Sequence, residues 1–177
     1  GFQADRIRLT DHLKRQADLA GLLGVRSMIF GSPSLRSTTQ LSLEKRTEMA
    51  AKLFRDVASV ATDNNTSLNI EPLAGYGNEF ISTTDQGIQF VERVNHPGFG
   101  LHLDSAAIAA SGEDPNVSIP EAITKVGIRS FDISAPELGL PSVDQTTPHQ
   151  QYAHLLQANL YAGPVTIEMR GPQTPES

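Results

Sequence analysis

Apolar positions along the chain fall into two rhythms. From Leu43 to Asp63, the residues Ala50, Leu53, Phe54, Val57, Ala58 and Ala61 recur three and four apart. That spacing predicts a helix with one buried face, ended by Asp63-Asn64-Asn65. A second helix is predicted from about Thr10 to Leu23, with Gly24 as its left-handed stop. Thr84 is placed to cap a third, through Ile88, Val91 and Val94, which Asn95-His96-Pro97-Gly98 halts. Shorter helices are read at Ile119–Lys125, with Pro120 near the first turn, and at His149–Leu160. Between them lie short apolar runs at 25–30, 67–71, 99–104, 127–133 and 164–169, read as five strands. Helices alternating with strands at this spacing predict βα units and a parallel sheet whose strands are buried on both faces. No linker or repeat divides the chain. One domain is expected over residues 1–170, followed by a frayed Pro/Gly/Ser-rich tail at 171–177.

Four strands carry an acid near their C-terminal ends: Glu71 in N-I-E-P, Asp104 in L-H-L-D, Asp132 in S-F-D-I and Glu168 in T-I-E-M. Successive acids are about one βα unit apart, roughly 30 residues. In a parallel sheet or barrel the strand C-termini share one face, so the four carboxylates are expected at one mouth. Close carboxylates resist common ionisation, and a divalent cation relieves that repulsion. Oxygen ligands suit hard ions, Mg²⁺ or Mn²⁺. The competing reading is that each acid faces water or caps the next helix. His102 points to the same side of its strand as Asp104, as a second ligand, a hydrogen-bonding neighbour or, the favoured reading, a satisfied interior histidine. Arg36 and Arg170 are the basic residues nearest strand ends, placed to hold a substrate or to pair with an acid.

Composition narrows the partners. The 177 residues carry a net charge of −6 and no basic cluster, which disfavours nucleic acid. The absence of cysteine excludes disulfides and thiolate metal sites. No apolar run reaches the roughly 20 residues of a membrane span. No signal peptide is read, and the expected location is cytoplasmic. The chain opens on Gly1 in mid-pattern, as a fragment or truncated form of a longer protein would.

The stretches Phe30-Gly31-Ser32-Pro33, N69-I-E-P-L73, G98-F-G-L-H-L-D104, Asp132-Ile133-Ser134-Ala135-Pro136 and V165-T-I-E-M-R170 run in one order over nearly the whole chain. In that order the chain resembles the sugar phosphate isomerase/epimerase family. These are the xylose-isomerase-like barrels that include ketose 3-epimerases, hydroxypyruvate isomerase and inosose dehydratases. The resemblance implies a (β/α)8 TIM-type barrel, here a partial one covering strands 4–8. It implies a divalent metal, Mn²⁺ or Mg²⁺, held by Glu71, Asp104, Asp132 and Glu168. Glu71 and Glu168 would also be the acid/base pair in an isomerisation or epimerisation through an enediolate. His102, Arg36 and Arg170 are the expected contacts to a small carbohydrate.

Two departures stand out. The family's His-x-His is replaced by Ser130-Phe131-Asp132, with Asp132 at the ligand position. The chain is also shorter than the roughly 250 residues of a full barrel. Uncovered strand edges make a longer native chain or self-association an expectation. The alternatives are a dehydratase of the same fold and a metal-free barrel acting as a binding module. A nuclease acting at abasic sites, whose metal cluster needs many histidines, is disfavoured by five histidines and the acidic charge.

Overall fold

The computed structural model describes residues 2–36, 41–74, 80–141 and 148–171. Of the expected tail at 171–177, residues 172–177 lie outside them. Five strands form one parallel sheet in sequence order: β1 (Ser27–Phe30), β2 (Ser67–Ile70), β3 (Phe99–Asp104), β4 (Ile128–Ser134) and β5 (Val165–Glu168). Each crossover carries helix: α1 (Phe2–Leu23) precedes β1, α2 (Leu43–Asp63) leads to β2, and α3 (Thr84–Val94) to β3. Two helices, α4 (Ser105–Ser111) and α5 (Pro115–Lys125), lie between β3 and β4, and α6 (His149–Ala158) precedes β5. This is a half-barrel of five parallel strands. Among the described residues, no helix is long and apolar enough to cross a membrane.

The inner strands β2 and β3 are buried on both faces, as expected of a parallel sheet, while the edge strands β1 and β5 are not, and the two faces differ in chemistry. The strands alternate. Phe30, Leu68, Ile70, Phe99, Leu101, Leu103 and Phe131 are buried on the helix-covered side. The intervening positions form the concave face: Ser27, Ser67, Asn69, His102, Asp104, Ser130, Asp132 and Ser134. Most of these polar residues are themselves buried, Asn69 and Ser134 completely. A buried polar side chain needs a partner, so this face is built as a hydrogen-bonded layer rather than an oily one.

The apolar side is filled by stacked phenylalanines. Phe54 of α2 meets Phe30 edge-on, with ring centroids 5.0 Å apart, and Phe99 at 5.2 Å; Phe90 of α3 closes on both Phe54 and Phe99. The α2 boundaries coincide with the predicted ones, and Ser42 supplies its N-cap. Gly98 shows how tightly α2 sits. A Cβ there would lie 2.2 Å from the Ala58 carbonyl oxygen and 2.3 Å from Thr62 Oγ1. Neither the backbone oxygen nor the helix turn behind it can yield. Gly98→Ala is therefore expected to destabilise the fold by about 2 kcal/mol, lowering Tm by about 4–8 °C in a thermal melt. An unchanged Tm would show that α2 floats on the sheet.

Several element ends differ from the predicted ones for local reasons. The α1 helix starts at Phe2, because no breaker interrupts 2–9 and Leu9 packs on the core. The α3 cap is Thr83, whose Oγ1 accepts from the Gln86 N–H. Thr84 is buried, and its N–H and hydroxyl donate to Glu113. The α5 helix starts at Pro115 behind an Asp114 cap, which leaves Pro120 inside the helix rather than in its first turn. At the sheet edges Ile29, Val165 and Ile167 are exposed by 44%, 52% and 64%, so two strands present unpaired backbone beside uncovered apolar side chains.

Candidate active site

Glu71 follows β2 directly. Its N–H donates to the Phe30 carbonyl, and Pro72 ends the strand by withdrawing a donor. Its carboxylate lies against Gly31, where a Cβ would sit 1.9 Å from Oε2. Glycine at this position is the space the carboxylate occupies. Glu71 is only 9% exposed, and its pKa is raised to about 8. Burial is the largest cause, followed by the charges of Asp104 and Glu168; Arg36 opposes the rise and Asp132 adds to it.

Asp104 ends β3, and its register partner across the sheet is Asp132. It already has two local jobs. Its Oδ1 accepts from the Ala107 N–H at 2.7 Å and so caps α4, and Oδ2 accepts from the Ser134 hydroxyl. Burial raises its pKa while these hydrogen bonds pull it back. The capping role expected as the competing reading therefore operates for Asp104, though each oxygen keeps a lone pair free.

Asp132 is 7% exposed and its Oδ1 has no hydrogen-bond partner. Its pKa rises to about 6, through burial first, then the charges of Glu168 and Asp104, with the Thr166 hydroxyl opposing. Glu168 ends β5 opposite Ser134, half-buried, its pKa raised by burial and by Asp104. The four acids thus stand toward the C-terminal ends of four adjacent parallel strands, and the charge of Asp104 helps to raise the pKa values of Glu71, Asp132 and Glu168.

His102 is an interior histidine. It is 1% exposed, its Nδ1 lies 2.7 Å from Ser130 Oγ, and its Nε2 lies 3.6 Å from Asp132 Oδ2. Burial lowers its pKa to about 4, so the ring is neutral and the approach to Asp132 is not an ion pair at neutral pH. Ser130 continues to Ser27 at 3.3 Å, and Asn69 donates to Ser27 at 2.7 Å and to Ser67. This chain of small polar groups braces the floor beneath the acids. Nothing but the alternation of the strands announces it in the sequence.

Arg36 is buried above the end of β1. It donates to the Phe30 and Ile81 carbonyls, and its guanidinium stands 5.6 Å from the Phe30 ring centre. Its charge reaches Glu71. Arg170 follows β5 with an exposed side chain, and its N–H donates to Leu138. The structure therefore brings the four acids, His102 and Arg36 to one end of the sheet and leaves Arg170 on the rim.

Among the described residues, no three acids or histidines stand close enough together to hold one ion as they lie. The donor chemistry nevertheless fits a hard divalent cation. It is all carboxylate oxygen, it is mutually repelling, and it includes the orphaned Oδ1 of Asp132.

Solved structures place this architecture. The chain superposes on L-ribulose 3-epimerase with a TM-score of 0.81 at 20% identity, covering 93% of this chain and 55% of that one. For the D-psicose 3-epimerase of Clostridium cellulolyticum H10 the TM-score is 0.83 at 19% identity, covering 96% and 58%. An AP endonuclease of family 2 from Brucella melitensis gives 0.75 at 20% identity, covering 91% and 64%. At these identities the likeness is one of fold. The chain spans little more than half the length of the two epimerases. No curated protein matches the sequence. The sequence profile of one family matches residues 3–177, nearly the whole chain, and agrees with the half-barrel of parallel strands: the chain belongs to the xylose isomerase-like TIM barrel family.

Proposed function

We propose that the chain carries the catalytic half of a sugar isomerase or epimerase that moves a proton on the carbon beside a substrate carbonyl. The observation that supports it is Glu71, a carboxyl held near pKa 8 by burial and by acids from three neighbouring strands. A buried carboxyl among these acids is placed to give or take a proton, as general acid/base catalysis requires. Glu71 and Glu168 come from β2 and β5, with β3 and β4 between them, which suits removal of a proton from one side and its return from the other. Asp104, held by Ser134 and the α4 N-terminus, is a carboxyl fixed in place on a strand between them. Arg36 offsets the charge of Glu71 when it ionises.

Glu71, Asp104, Asp132 and Glu168 would hold the divalent ion, Mn²⁺ or Mg²⁺. When bound it would supply positive charge to neighbouring substrate oxygens and so favour an enediolate. The structural neighbours named as ketose 3-epimerases make ketoses the first substrates to try. A second reading, a metal-free barrel that only binds a sugar, is favoured by one observation: both Asp104 oxygens already have partners.

Calorimetry with Mn²⁺ on the chain and on Asp132→His separates the two, followed by proton exchange from D-psicose, D-tagatose and L-ribulose in D2O. Binding by the unmodified chain with ketose proton exchange is the expected result. Binding by neither protein, or binding without exchange, would remove the enzymatic reading for this chain.

A further inference from the structure

A second cavity lies on the opposite side of the sheet from the acids. It has a volume of about 330 Å³ and opens between α1, α2 and the turn after β1. Its floor is apolar: Phe30, Phe54, Leu53, Ile70 and Phe80. Phe30 and Ile70 are register partners on the helix-covered face, so the concave acid face is not part of it. Small-ligand pockets begin at about 300 Å³ and are lined mainly by apolar side chains with a few polar groups.

Three arginines line its mouth: Arg6 from α1, Arg36 from the turn after β1 and Arg46 from α2. The Nε of each is buried and makes no hydrogen bond. Arg36 is 4% exposed, and two of its donors are fixed on backbone carbonyls. A buried guanidinium N–H without an acceptor is costly, and three around one cavity ask for an anion. Among the described lining residues the one acid, Asp5, is already paired with Arg8.

We propose that this cavity binds an amphipathic monoanion, a carboxylate on a medium-length apolar body. The guanidinium fork matches a planar carboxylate. The aromatic and aliphatic floor takes the body, and the nearby Asp5 disfavours a dianionic head. The cavity shares Arg36 with the acid cluster, whereas Arg6 and Arg46 belong to the cavity alone.

The test uses octanoate as the probe, with octanol as the uncharged tail and acetate as the bare head, by calorimetry on the 177-residue chain. Octanoate is expected to bind about tenfold or more tighter than either control, as one charge-assisted pair supplies. Arg46→Gln and Arg6→Gln are each expected to weaken it several-fold. Ala50→Phe, which fills the wall, is expected to abolish binding without lowering Tm. Mn²⁺ affinity should not change in any of the three, which separates this site from the acid cluster. Octanol binding as tightly as octanoate, or octanoate affinity indifferent to both arginine changes, would overturn the proposal.

Discussion

Glu71→Gln is expected to lower proton exchange from an accepted ketose by about a hundred- to ten-thousand-fold, the range general acid/base groups supply. The fold should survive the change. With a pKa near 8 the Glu71 side chain is largely protonated at pH 6, and glutamine imitates that neutral form. The melting temperature at pH 6 should therefore match that of the unmodified chain. Gly31→Ala is the companion variant. It keeps the carboxylate but places a Cβ 1.9 Å from Oε2, so the carboxylate must swing away. A displacement of that order is expected to cost about a hundredfold in exchange. Full activity in Glu71→Gln would remove Glu71 from the chemistry. Full activity in Gly31→Ala alone would show that its placement is not critical.

Gly31 also marks where sequence reasoning reaches its limit. Glu71 stands out because an acid ends an apolar run, whereas Gly31 looks like part of an ordinary Gly-Ser-Pro turn. Its role depends on β1 and β2 pairing so that Phe30 meets Ile70, and no local pattern carries that register. The same holds for Ser134, which reads as a turn residue yet holds Asp104 from the next strand.

The α2 helix was legible because its apolar stripe is long and regular. The α4 helix was not, because Ser105–Ser111 is seven residues of mostly small side chains with almost no stripe, capped by an acid that had a more obvious reading. The strands were legible as short apolar runs, and their burial on both faces holds for β2 and β3; what the runs do not announce is that S-L-N-I and G-L-H-L-D alternate, with polar groups on the concave face. In a barrel of this kind the concave face belongs to the site, and alternation in a parallel strand is the trace of that face. That trace ties fold to function: the period-two positions that leave the apolar core carry Ser27, Asn69, His102, Ser130 and the acids above them.

The metal-free protein is expected to lose stability as pH rises from about 6.5 to 8. Glu71 has a pKa of about 8 in the folded chain against an ordinary 4.5. Between those values the folded state binds more protons than the unfolded one, so stability falls with rising pH and levels off above 8. Asp132, raised from 3.8 to about 6, adds the same sign at lower pH. His102 acts oppositely: its pKa drops from 6.5 to about 4, so its contribution grows with pH and is complete by about 6.5. Below 6.5 the terms compete, and above it Glu71 dominates. Tm should fall by about 3–6 °C across that upper window, and the fall should vanish in Glu71→Gln. Saturating Mn²⁺ should reverse the trend, because the ion and the proton compete for the same carboxylate. Its affinity should rise about tenfold per pH unit toward pH 8 and then flatten, as release of one proton requires. A Tm that is flat or rising from 6.5 to 8 without metal would mean that Glu71 is ionised in the folded chain. Its charge would then be balanced by Arg36, and the raised pKa of Glu71 in the metal-free chain would fail.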